Sequence, residues 1–173
     1  LFIDKYQVFQ DAPFSKNNFY REVYKLYPKS FYILLNRDPN EWYKSFYKNI
    51  LRYTKTKDLK DFDVRKLKDH DYIRKGYLFD FIISFFPKNT NLEEINEKIK
   101  IKSFMILVFE KRNNEIRKFF KNSKKFIEIE VKNEKDNSRI IKFLNLRNNV
   151  LMSMPHKDKT KFLIRLIKLL FDT

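Results

Sequence analysis

Arg37 and Ser45, eight positions apart within LLNRDPNEWYKS (residues 34–45), frame the chemistry this sequence offers. An apolar run ends on a permanent cation, and Asp-Pro turns the chain at once toward a helix. Arginine carries a fork of N–H donors that matches phosphate oxygens. A helix beginning just beyond it directs unsatisfied N–H groups and the positive end of its dipole to the same place. Ser45, two turns into that helix, adds a hydroxyl able to reach the same oxygens. The residues alone leave a second reading open, in which Arg37 does no more than form surface ion pairs with Asp38 or Glu41.

The elements that must position this pair can be read from pattern. KYQVFQ, residues 5–10, reads as a short strand closed by Asp11-Ala12-Pro13. Ser15 is a candidate N-cap for a helix to about Tyr27, with Phe19, Val23 and Leu26 on one face, and Pro28 ends it. FYILLN, residues 31–36, is nearly all apolar, which predicts a strand covered on both faces of a parallel sheet. Asp38 as cap, Pro39 at the first helical position and Glu41 three beyond the cap predict a helix from Pro39 to about Tyr53. It turns Trp42, Phe46, Tyr47, Ile50 and Leu51 toward the core. Residues 54–66 read as a surface loop. Residues 67–86 and 91–120 read as helices, the second capped by Asn91 and carrying Ile95, Ile99, Ile106, Phe109, Ile116 and Phe120. KFIEIEV, residues 125–131, alternates as a strand; 137–144 reads as a short helix, 148–158 as a loop and 160–171 as an amphipathic helix.

A chain of 173 residues suits one domain, and 43% hydrophobic content with 17% aromatics is that of a folded protein. There is no cysteine and the two histidines lie far apart, so no metal site is expected. A chain without cysteine fits a reducing compartment such as the cytosol, although the sequence does not fix the compartment. The net charge of +16 invites a nucleic-acid reading. Yet the lysines are spread along the chain, and the abundant Lys, Asn, Ile, Phe and Tyr are residues that AT-rich codons encode. Drift in base composition accounts for such a skew, and no specific nucleic-acid partner is expected. The last stretch, KFLIRLIKLLF, sets Lys161, Arg165 and Lys168 against leucines, a pattern that fits packing on a sheet and also contact with an anionic membrane surface.

The segment from Asp11 to Ser45 resembles the middle of the P-loop-type sulfotransferase family. That family carries D-x-P, a helix ending in Y-P, and a strand reading F-I-L-x-x-R-D-P-x-x-W-x-x-S. The matching residues are Asp11, Pro13, Tyr27, Pro28, Ile33, Leu34, Arg37, Asp38, Pro39, Trp42 and Ser45. FEKRNNEIRKFFKNSKKFIEIEV is similar to the family's Y-E-x-H-N-x-x-V-R-x-Y-F helix and following strand, with Arg112 where histidine is frequent. IIKFLNLRNNVLMSMPHKDKT is similar to its closing L-x-x-F-L-x-L and F-P-H-x-N-K. The three blocks are collinear and cover most of residues 8–160.

The resemblance implies an α/β fold, a partial P-loop-NTPase-like parallel sheet flanked by helices, with a helix-rich C-terminal half. It implies one domain over residues 1–173. It also implies transfer of a sulfuryl group from 3′-phosphoadenosine 5′-phosphosulfate (PAPS) to a hydroxyl or amine acceptor. Arg37 and Ser45 map onto the arginine and serine that bind the cofactor's 3′-phosphate. Asp11 is the candidate general base, its alternative being to anchor the turn before Pro13. His156, Lys157 and Lys159 match the closing loop and would approach the nucleotide. The family's G-x-x-K/R-S/T-G-T-S/T loop has no counterpart here, Gly76 being the sole glycine. The expectation is of a domain lacking its first strand and that loop. Arg74-Lys75-Gly76 is similar to an R-K-G element of cytosolic members but stands mid-chain, and is read as coincidence. The competing reading is a non-catalytic basic module that binds nucleic acid or an anionic membrane surface.

Overall fold

Two five-residue strands in parallel register form the sheet among the described residues of the computed structural model, which are 16, 18–130 and 135–145. Strand β1 (Tyr32–Asn36) pairs with β2 (Phe126–Glu130), with Tyr32 opposite Phe126 and Asn36 opposite Glu130. A parallel pair needs a crossover. Here it carries helices α2 (Pro39–Thr54), α3 (Tyr77–Ile83), α4 (Leu92–Lys100) and α5 (Lys102–Phe120). Helix α1 (Phe19–Leu26) precedes β1 and α6 (Lys135–Phe143) follows β2. The architecture is α/β and rich in helix.

The described residues gather into two compact units. The smaller comprises residues 29–37 together with 120–130 and 135–145. In it, Ile129 and Ile140 are buried and Ile33, Ile127 and Leu144 pack against them, so α6 covers the face that carries the odd-numbered residues of both strands. On the other face Phe120 stacks on Phe126, with ring centroids 4.9 Å apart, and lies 4.9 Å from Tyr32. The expected burial of β1 on both faces is not met: Leu35 is 42% exposed. It lies opposite Ile129, but α6 packs along β2 and leaves the β1 side of that face open.

The larger unit comprises residues 16, 18–28 and 38–119 and holds the main core, among it Val64, Ile99 and Met105 at 0% exposure. The segment 54–66, expected as a surface loop, belongs to this core. Two 3₁₀ turns, Leu59–Asp61 and Val64–Leu67, sink Leu59, Phe62, Val64 and Leu67 among the helices. The lysines and aspartates between them face water, which is what made the stretch look like loop. Residues 67–86 are not one helix either. Asp71 and Lys75 form an antiparallel bridge, and α3 begins only at Tyr77. Gly76 makes that restart possible with φ +76, a left-handed conformation that side chains with a Cβ disfavour.

The helix expected over 91–120 is broken at Ile101, whose backbone is extended. The break has a packing cause. Ile99 and Met105, six residues apart, would point about 120° apart on one continuous helix, and with the break both are fully buried. Asn91 caps α4 as expected, accepting the Glu94 N–H at 2.8 Å. In α1 the buried face is Tyr20 and Val23 rather than Phe19 and Leu26, which are 37% and 66% exposed. Tyr20 and Tyr24 meet Phe119 edge-on, each at 5.4 Å, and this aromatic contact sets the rotation of the helix.

Candidate functional site

The chain leaves β1 through Arg37 and enters α2 at Pro39, as the R-D-P stretch foretells. Asp38 is the N-cap. Its Oδ1 accepts the Glu41 N–H at 3.0 Å and its carbonyl accepts the Trp42 N–H at 2.9 Å. Pro39 has no N–H to offer. Much of the first turn's donor capacity is therefore committed inside the helix end itself, and the Asp38 carboxylate already answers the dipole. The side-chain donors that flank this junction in the sequence are the Arg37 guanidinium and the Ser45 hydroxyl.

Trp42 fixes the rotation of α2. Its indole lies 5.2 Å from Phe46 and 4.6 Å from Phe109, nearly coplanar with both. Phe46, Tyr47, Ile50 and Leu51 join the same core, all as the periodicity predicts. With that face turned inward, Ser45 falls on the border between core and solvent and is half-buried. Arg37 is also half-buried. The neighbouring carboxylates have local roles: Glu41 accepts from Lys44 at 2.9 Å, which raises the lysine's pKa, while Asp38 holds the cap. Asp11, His156, Lys157 and Lys159 lie outside the described residues.

Arg74-Lys75-Gly76 has a structural account. Arg74 pairs with Asp80 and donates to the Lys75 carbonyl, while Lys75 pairs with Asp69 at 2.9 Å. The three residues close a turn that launches α3. Arg112, where the family often has histidine, lies within α5; burial pushes its pKa down, opposed by the nearby Tyr20 oxygen. A shallow recess of about 470 Å³ is lined by Asn18, Arg21, Glu115, Lys118 and Phe119, none of them a predicted site residue. Its carboxylate and two cations on an open surface describe a solvated face rather than a pocket. Among the described residues no group of His, Asp or Glu side chains could hold a metal ion, and no helix is long and apolar enough to cross a membrane.

One feature escaped the sequence reading. The lysines are dispersed along the chain, yet α2 collects Lys44, Lys48 and Arg52 on its solvent face through their spacing of four. That spacing was the signal available.

Strand β1, the R-D-P junction and helix α2 follow one another without interruption along the chain. No curated protein matches the chain. A family model described as a sulfotransferase domain matches residues 2–163, nearly the whole sequence, and the chain belongs to the sulfotransferase-domain family.

Proposed function

We propose that this protein is a PAPS-dependent sulfotransferase with a P-loop-NTPase-like fold and a single catalytic domain over residues 1–173. The observation that carries the reading is the family match across residues 2–163, which takes in the R-D-P-x-x-W-x-x-S stretch at a strand-to-helix junction. Arg37 and Ser45 fit one end of the nucleotide. A guanidinium fork and a hydroxyl are the donors a phosphate needs, and neither requires the helix amide that the Asp38 side chain occupies. These two side chains would hold the 3′-phosphate, with His156, Lys157 and Lys159 adding positive charge around it. PAPS supplies an activated sulfuryl group when bound.

What the chain's own residues contribute is positioning and charge. Arg37 neutralises the phosphate that anchors the nucleotide, and the rigid Trp42 packing keeps Ser45 at a fixed depth, so that the reacting end is held in one place. Asp11, at the end of the segment read as a strand, would accept the proton that the acceptor's hydroxyl or amine gives up as the sulfuryl group passes to it and PAP leaves. The phosphosulfate end needs further donors, which Arg37 and Ser45 do not supply.

Binding of desulfated nucleotide (PAP) is the test. PAP should raise the melting temperature of the protein, and Arg37→Ala should abolish the rise because about 2–5 kcal/mol of charge-assisted contact is lost. No shift with either PAP or PAPS defeats the proposal. A shift that survives Arg37→Ala moves the nucleotide elsewhere.

A further inference from the structure

We infer that the solvent face of α2 is a docking surface for an acceptor that is itself an acidic glycan chain. This deepens the sulfotransferase reading and rests on it for the identity of the bound polymer as acceptor. The face is built from Lys44, Lys48 and Arg52, all exposed. Successive members are four residues apart, so at 3.6 residues per turn they drift by about 40° each and span an arc of about 80° over roughly 12 Å. Lys55, the left-handed residue that ends the helix, and Lys57 beyond it extend the run. Across residues 39–57 the one carboxylate is Glu41, and it is engaged with Lys44. A row of cations with so little compensation attracts a linear polyanion.

Ser45 connects this face to the proposed site. It lies seven residues before Arg52, which places the two within about 20° of each other around the helix. It also follows Lys44 directly, so a chain lying along the cations starts one residue away from the residue proposed to bind the nucleotide.

The character of the face selects among polyanions. Single-stranded nucleic acids are held by exposed aromatic platforms as well as by charge. On α2 the aromatic residues Tyr43 and Tyr47 pack on the core side, and Tyr53 is covered by the Arg52 guanidinium 4.7 Å from its ring centre. A helix that lies on a membrane needs an exposed apolar flank. The exposed large hydrophobic residues described, among them Leu26, Ile101 and Leu107, all belong to segments other than α2. A glycan needs neither device. It also carries the hydroxyl or amine groups that sulfuryl transfer consumes.

The experiment measures binding of a size-defined heparin oligosaccharide, uncharged dextran, oligo-dT and anionic lipid vesicles at low salt. The wild-type protein is compared with Lys48→Glu/Arg52→Glu. Lys118→Glu/Lys121→Glu, on exposed residues elsewhere, serves as a charge-matched control. Heparin binding should fall about tenfold or more in the α2 variant and less than about threefold in the control, with dextran unbound. Lys48→Gln/Arg52→Gln should show a smaller loss in the same order, which guards against misfolding as the cause. Equal losses in both charge-reversed variants would mean diffuse charge and overturn the inference. So would oligo-dT or vesicles binding more tightly than heparin and depending on Lys48 and Arg52. The PAP-induced melting shift should persist in the α2 variant. If wild type ignores PAP yet shows the site-specific heparin loss, the nucleotide reading fails while the glycan-binding face stands.

Discussion

Helix α2 and the segment from Asp58 to Phe86 lie side by side in the sequence and in the same core, but they are held by different means. Helix α2 is specified from within: Asp38 caps it, Pro39 starts it, and Trp42, Phe46 and Ile50 form one stripe. The 58–86 segment has short turns that could not stand alone. The Val64 N–H is buried and bonded at 2.8 Å to Asn96 Oδ1, a side chain of α4, while the Asn96 amide also reaches Asp63. Arg65 joins Asp63 to Glu93 of α4. A local element keeps its shape when distant residues change; a segment stapled from afar does not. Ser45 stands on the locally specified element.

The largest difference should come from Leu67, 1% exposed within the stapled segment. Leu67→Ala should cost about 2–5 kcal/mol, through lost transfer energy and the cavity left behind, as read by urea denaturation. Asn96→Ala should follow at about 1–3 kcal/mol, because it strands the buried Val64 N–H. Asp38→Ala, on the locally specified side, should cost about 1 kcal/mol, the worth of one cap. If Asp38→Ala destabilises the protein more than Asn96→Ala does, the contrast between the two regions is wrong.

Acid gives the smallest and most selective test. Burial works against the charged form of Asp63, but hydrogen bonds from the Arg65 backbone and guanidinium and from Asn96 outweigh it and hold the carboxyl below its ordinary 3.8. A carboxyl depressed in the folded state contributes stability that is fully present above its unfolded value. That contribution is lost as pH falls through the folded one. The urea midpoint should therefore decline below about pH 4, and Asp63→Asn should flatten that decline. A wild-type midpoint unchanged between about pH 5 and 2.5 would show that the staple carries no such charge dependence.

The same division explains what could be read in the residues. Strand β1, the R-D-P turn, the whole of α2, the Asn91 cap and strand β2 are all legible, because caps, proline and periodicity act within a few residues. The candidate pair Arg37 and Ser45 is legible for the same reason. Segment 54–66 misled because its lysines and aspartates resemble a loop, while the residues that matter, Phe62 and Val64, are buried by helices far along the chain. The break at Ile101 carries no glycine or proline. It arises because Ile99 and Met105 must both be buried.

The sequence by itself determined the strand-to-helix junction, the caps and the inward stripe of α2, and with them the family. These depend on backbone donors, fixed φ at proline and a period of 3.6, all of which act locally. Tertiary structure decided what no short window contains. It set which face of α1 is covered, where the long helical stretch breaks, and which turns are stapled to α4. Burial and charge density are properties of neighbours in space, and those neighbours are chosen only when the core closes.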